Sequence, residues 1–332
     1  MISRRTAFKF SAALAAALAL SGCSAAESDT QTLKLAHTLN ADHPVHKAMV
    51  FMGERLDTLS DGKMAVEVYP NGQLGSEREL IELLQIGAVS MTKVSTISME
   101  GFSEEMKLFS IPYLFEDNAH LWRVLNGKPG RDLLTTLADV RIHGLGYYDA
   151  GSRSFYMTEA PVRTPADLAG KKVRVLPSRT SIEMVNALGG SATPISWGEL
   201  YTALQQGIVD GAENNPPSYY LSKHFETAKY YTLDEHTSVP DLLIMSKHVW
   251  NGLSPQQREW VGQAVDESVI YQRKLWTEAS DDAIAKVKEA GVEVIYPDKA
   301  PFREAVKDIK TSFYGGPVEP FIEQVEALGG AQ

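Results

Sequence analysis

The chain has 332 residues, enough for two ordinary domains. With 44% apolar and 22% charged residues, its composition excludes a disordered or membrane-embedded protein. A formal net charge of −10 argues against nucleic acid as a partner, because phosphate binding needs a basic face, and it leaves any bound anion to a few local cations.

Arg4, Arg5 and Lys9 precede a short apolar run from Phe10 to Leu20, the form of an export signal and too short for a spanning helix. Leu20-Ser21-Gly22-Cys23 then reads as a lipobox, making residues 1–23 a signal peptide that ends at a cysteine to be lipidated. Ordinary cleavage after Ser24-Ala25-Ala26 is the competing reading. Cys23 is the single cysteine, so no intrachain disulfide forms.

Gln31 to Ala36 reads as a first strand, followed by a loop carrying His37, His43 and His46. Lys47 to Leu59 places Met49, Met52, Leu56 and Leu59 on one helical stripe. Met64 to Tyr69 alternates as a strand does. Ser76 with Glu79 is a capping box, which puts Glu77 in the first turn of a helix. Ala88 to Ser95 is a further strand candidate, and Met106 to Tyr113 a segment closed by Ile111-Pro112. Ile142 to Tyr148 and Arg153 to Thr158 read as strands, and Thr164-Pro-Ala-Asp167 as a second capping box. Val173, Val175 and Leu176 form a short apolar strand around Arg174. Ser181 to Leu188 is helical, and Ser196-Trp-Gly-Glu199 opens another helix. Ile208-Val209 looks strand-like ahead of Glu213-Asn214-Asn215-Pro216-Pro217. Leu242 to Ser246 is a strand running back. Ser254-Pro-Gln-Gln257 caps a helical pattern reaching Ala290, roughly 54 Å long at 1.5 Å per residue, longer than one domain is wide. Strands alternating with helices predict an α/β fold with largely parallel sheets. No Gly-, Pro- or Ser-rich tether separates the halves. Two lobes, 31–150 plus 240–275 and 151–239 plus 276–332, are expected to exchange the chain several times, with the long helix bracing both.

Arg153 and Arg174 lie beside strand segments, where open α/β sheets bind ligands. A guanidinium grips a carboxylate through two parallel hydrogen bonds. The bland reading of a lone arginine is a structural ion pair. Asn214 and Asn215 carry amides that suit hydroxyls or a carboxylate edge, or else stabilise a turn. Glu77 is either a helix-dipole partner or an acceptor for hydroxyls. Trp197 is a platform for a sugar ring or a core aromatic. His37 and His236 are candidate polar lining residues. The histidine spacing fits no zinc pattern, and no metal or cofactor is expected. The nucleophile elbow, the Walker loop and the zincin motif are all missing, so no enzyme activity is expected.

Several segments together carry a resemblance: PNGQLGSERELIELLQIGAV, IPYLF, YYDAGSRSF, DLAGKKVRV, TPISWGELYTALQQGIVDGAENNPP and the late helix. The chain resembles the substrate-binding subunits of tripartite ATP-independent periplasmic (TRAP) transporters. The resemblance implies a two-lobed, periplasmic-binding-protein-like fold with a hinge that closes on ligand. It implies a carboxylate-binding arginine at Arg174, assisted by Arg153, with Asn214, Trp197 and Glu77 as further contacts. The family's sialic-acid branch carries glutamate where this chain has Ser95. ENNPPSYY with YDAGSRSF is similar to the branch that binds sugar acids such as hexuronates. The implied partners are a sugar-acid carboxylate and the integral-membrane transporter subunits, and the implied location is the periplasm. A C4-dicarboxylate or other organic-acid binding protein, or a sugar-acid-processing extracytoplasmic enzyme, is the alternative.

Overall fold

A computed structural model describes residues 30–330; the export signal and Cys23 lie outside the described residues. Two mixed sheets organise the chain. The first has the order β2-β1-β3-β10-β4, built from β1 Gln31–Ala36, β2 Met64–Tyr69, β3 Met91–Ser95, β4 Ile142–Tyr148 and β10 Asp241–Ser246. The second has the order β11-β9-β5-β8-β6-β7, from β5 Ser152–Met157, β6 Lys172–Val175, β7 Ser191–Pro194, β8 Gly211–Asn214, β9 Tyr230–Ser238 and β11 Glu293–Ile295.

Parallel pairing is only part of the architecture. β10 runs antiparallel to both β3 and β4, and β5 runs antiparallel to both β8 and β9. The sheets are therefore more mixed than alternation of helix and strand predicts. β10 returns a late segment to the first sheet, and β5 carries the chain out of β4 into the second.

Each sheet is buried on both faces, and strand alternation decides which side chain goes where. Along β10, Leu242 and Ile244 enter one core while Leu243 and Met245 enter the other. Along β5, Phe155 and Met157 face one core and Tyr156 the opposite one. The helices Pro44–Ser60 and Glu77–Gln85 cover opposite faces of the first sheet. Arg179–Ala187 and Ala300–Thr311 cover one face of the second. Both expected capping boxes that open α-helices, Ser76 with Glu79 and Ser254 with Gln257, are formed. The Thr164–Asp167 box forms as well, but caps only the 3-10 turn Pro165–Leu168.

The long helix is Pro255–Glu289, 35 residues. Val261, Ala264 and Val265 enter the core of the first sheet, and Val287 enters that of the second. The helix thus ties the two bodies together. The final helix, Glu319–Ala327, departs from the expected assignment of 276–332 to one lobe. Its Ile322 and Val325 join the first sheet's core, and the Val325 carbonyl lies 2.9 Å from Nε2 of His120.

Ile208-Val209 is not a strand. Ile208 is half exposed in a turn, and the strand begins at Gly211. A Cβ on Gly211 would stand 2.3 Å from the Met157 sulfur and 2.4 Å from the Tyr156 carbonyl, so only glycine allows β8 to approach β5.

Candidate functional site

A cavity open to solvent, with about 460 Å³ of space inside it and at its mouth, lies between the two sheets. Its second-sheet wall comes from strand ends. Parallel pairing of β6 with β8 sets Arg174 opposite Ala212, and antiparallel pairing of β5 with β8 sets Ser154 opposite Asn214. Arg153, Asn214, Asn215 and Trp197 line the space. Glu77 and Ser95 line it from the first-sheet side.

Arg174 is fully buried behind that wall and is not itself one of the lining residues; its Cζ lies 5.9 Å from the ring centroid of Trp197, which does line the space. Nε donates to the Ile195 carbonyl at 2.8 Å. Nη1 and Nη2 are buried and make no hydrogen bond with any described residue. Burial lowers the guanidinium to about 10, which leaves it charged at neutral pH. Two adjacent N–H donors on an unpaired buried cation demand an anionic acceptor, and the fork matches the two oxygens of a carboxylate.

Arg153 differs. It is the arginine for which the bland reading holds, because Glu213 pairs with it. Nε bonds Glu213 Oε2, Nη2 donates to Glu213 Oε1 and to the Glu213 carbonyl, each at 2.8 Å, and Nη1 donates to Asn214 Oδ1 at 3.0 Å. Its role is to hold Asn214 in place while remaining part of the wall. Burial pushes the Glu213 carboxyl up, but Arg153 and His236 overcome this and hold it at about 2. Asn215 caps the helix Pro216–Leu221 by accepting from the Ser218 N–H at 2.9 Å.

His236 is withdrawn from the cavity. It lies 2.8 Å from Asp234 and 3.5 Å from Glu213, fully buried. Burial lowers the imidazole, but the two carboxylates outweigh it and raise it to about 9. A base raised on folding stabilises fully below its unfolded value of about 6.5, and this contribution disappears as pH climbs through about 9. The melting temperature is therefore expected to fall between those limits, and His236→Gln should flatten that alkaline limb. An unchanged slope in the variant would exclude His236 as its source.

His37 is also withdrawn. Its Nε2 lies 3.0 Å from His46 Nδ1, and its Nδ1 accepts from the Leu39 N–H at 3.2 Å. Burial, with Lys93 nearby, lowers it to about 3. The cavity is lined instead by His43, which caps the helix Pro44–Ser60 and reaches Ser218 Oγ of the opposite body at 3.3 Å. Asn40 makes a second such link, its Nδ2 donating to the Leu221 carbonyl at 3.1 Å.

Glu77 is an organiser of the first-sheet wall as much as a lining group. It accepts from the Ser95 N–H at 3.2 Å and from Ser98 Oγ at 2.5 Å, and lies 3.4 Å from Lys93 Nζ. Sequence reasoning passed over Lys93 and Asp241, which line the cavity and pair at 3.0 Å. All five residues of Met91–Ser95, Met-Thr-Lys-Val-Ser, are buried, and with only two of them apolar little in the sequence marks Lys93 as lying inside. Trp276 of the long helix was missed as well. No group of three or more His, Cys, Asp or Glu among the described residues is placed to hold a metal, and no described helix is long and apolar enough to cross a membrane.

Solved proteins share this fold. A TRAP periplasmic solute-binding protein from Xanthobacter autotrophicus Py2, solved with bound β-D-galacturonate, is 39% identical. It superposes with a TM-score of 0.87 over 89% of this chain and 99% of that one. Another, from Pseudomonas putida F1 with bound D-glucuronate, is 37% identical, with a TM-score of 0.86 over 89% and 97% of the two chains. The protein YiiZ of Salmonella typhimurium is 42% identical over 279 residues, 83% of this chain and 85% of its own. The bacterial extracellular solute-binding protein family 7 matches residues 35–315, and the chain belongs to that family.

Proposed function

We propose that this protein captures a hexuronate, D-galacturonate or D-glucuronate, outside the cytoplasm and delivers it unchanged to the membrane subunits of a TRAP transporter. The observation that carries this reading is Arg174, whose two free donors are buried behind the wall of the cavity between the two bodies. Solved relatives of the same fold hold uronates. The carboxylate docks on Arg174, and the ring hydroxyls meet Asn214, Glu77 and the Trp197 face. The lobes meet through four crossings: after β4, before β10, within the long helix, and between the helices Ala300–Thr311 and Glu319–Ala327. Residues 31–150 and 240–275 move as one lobe, joined by the terminal helix, against 151–239 and the segment from 276. Closure expels water and forms the surface that the membrane partner reads, so ligand selects the docking state.

The chemistry is binding alone. Glu213, the carboxylate nearest the arginines, is locked to Arg153 and His236 and is unsuited to proton transfer. Micromolar affinity needs about −8.2 kcal/mol, within reach of one bidentate pair and several buried hydroxyl contacts after ordering costs. Calorimetry with both uronates is expected to give micromolar or tighter binding, with the sugar recovered intact after prolonged incubation. No heat with either uronate, or conversion of the sugar, would reject the proposal.

A further inference from the structure

The cavity lies between a buried cation behind its second-sheet wall and a net-anionic group on its first-sheet wall. On the second-sheet side, Arg153 is balanced by Glu213, and His236 by Asp234, which leaves Arg174 as the cation without a carboxylate partner. On the first-sheet side the balance is reversed. Lys93 Nζ sits 3.0 Å from Asp241 and 3.4 Å from Glu77, one ammonium between two carboxylates. β10 pairs Asp241 with Ser95 and Leu243 with Lys93, so Asp241 and Lys93 are diagonal neighbours on one face of the sheet. Lys93 and Asp241 are almost wholly buried, at 3% and 6% exposure, so little solvent screens them.

Resting on the hexuronate reading above, we propose that Glu77, Lys93 and Asp241 form the specificity-determining wall that restricts the ligand to a monoacid. A ligand whose carboxylate reaches Arg174 behind the second-sheet wall meets an acceptor-rich, net-anionic group at its other end. A carboxylate at the first end and hydroxyl donors at the second satisfy both. A second carboxylate at the hydroxyl end meets Glu77 and Asp241 and is repelled. The wall thus turns away hexarates and short dicarboxylates, although they carry the same anionic head.

L-galactonate and galactarate test this cleanly. Both are open-chain six-carbon acids, and they differ only in whether the far end is a primary alcohol or a carboxylate. Calorimetry on the purified protein, with D-galacturonate as reference, is expected to favour L-galactonate over galactarate by at least ~100-fold, the scale of an uncompensated like-charge contact. Asp241→Asn should narrow that ratio by about 10-fold or more, because it removes one charge and keeps the shape; Asp241→Ser gives the same reading if the amide disturbs folding. Galactarate binding as well as L-galactonate overturns the inference, as does rejection of L-galactonate as strong as that of galactarate. A ratio unmoved in a folded Asp241 variant also overturns it. Failure of D-galacturonate itself to bind would instead sink the hexuronate reading.

Discussion

Arg174→Ala is expected to abolish most uronate affinity. Charge-assisted hydrogen bonds contribute about 1.5–3 kcal/mol each, so losing a bidentate pair costs about 3–6 kcal/mol, or roughly 10²–10⁴ in Kd. Arg174→Lys should rescue little, because an ammonium cannot present the planar fork. Arg174→Met separates binding from folding. It keeps most of the volume and removes a buried charge that has no ion-pair partner, so the melting temperature should hold within a few degrees while affinity is lost. Calorimetry and thermal melts on the three variants decide the matter. Wild-type affinity in Arg174→Ala would remove Arg174 from the site.

Glu213→Gln carries the second large effect, and it falls on stability. The carboxylate holds Arg153 on one side and lies beside His236 on the other, all three buried. Breaking a buried pair by neutralising one member costs about 3–5 kcal/mol, because the remaining charge is left uncompensated. For a chain of this size that corresponds to a drop of roughly 6 °C or more in melting temperature. Adding Arg153→Met should recover part of the loss, since both charges are then gone. A single-variant loss below about 1 kcal/mol by urea titration would show that the pair contributes little. The same carboxylate, held at about 2, gives a contribution that is present above its unfolded value of 4.5 and is lost as pH falls towards 2.

Sequence pattern exposed the scaffold where local rules decide it. Capping boxes located two helices, and apolar stripes located Pro44–Ser60. It failed at β9, Tyr230–Ser238, where Asp234 and His236 interrupt the apolar pattern. Those charges are buried because they pair with each other, a fact no window of neighbouring residues contains. The site divides the same way. Arg174 was legible because a cation on a short apolar strand needs a reason to be there. The pairing of Arg153 with Glu213 was not, because it depends on β5 lying antiparallel to β8, 60 residues apart in the chain. Sequence favoured His37 over His43 as the lining residue, because it directly follows the first strand. The strand buries the first against His46, whereas the helix start presents the second to the cavity.

The helix Pro255–Glu289 is anchored near Val265 in one core and at Val287 in the other. The first core holds the helix as far as Trp276, roughly 16 Å from Val287 at 1.5 Å per residue, so a tilt of about 10° there sweeps the far anchor through roughly 3 Å. Trp276, the last of the helix's side chains in the first core, also lines the cavity. Cavity wall and second core are thereby joined by one rigid element, so a shift of either is passed to the other along that length.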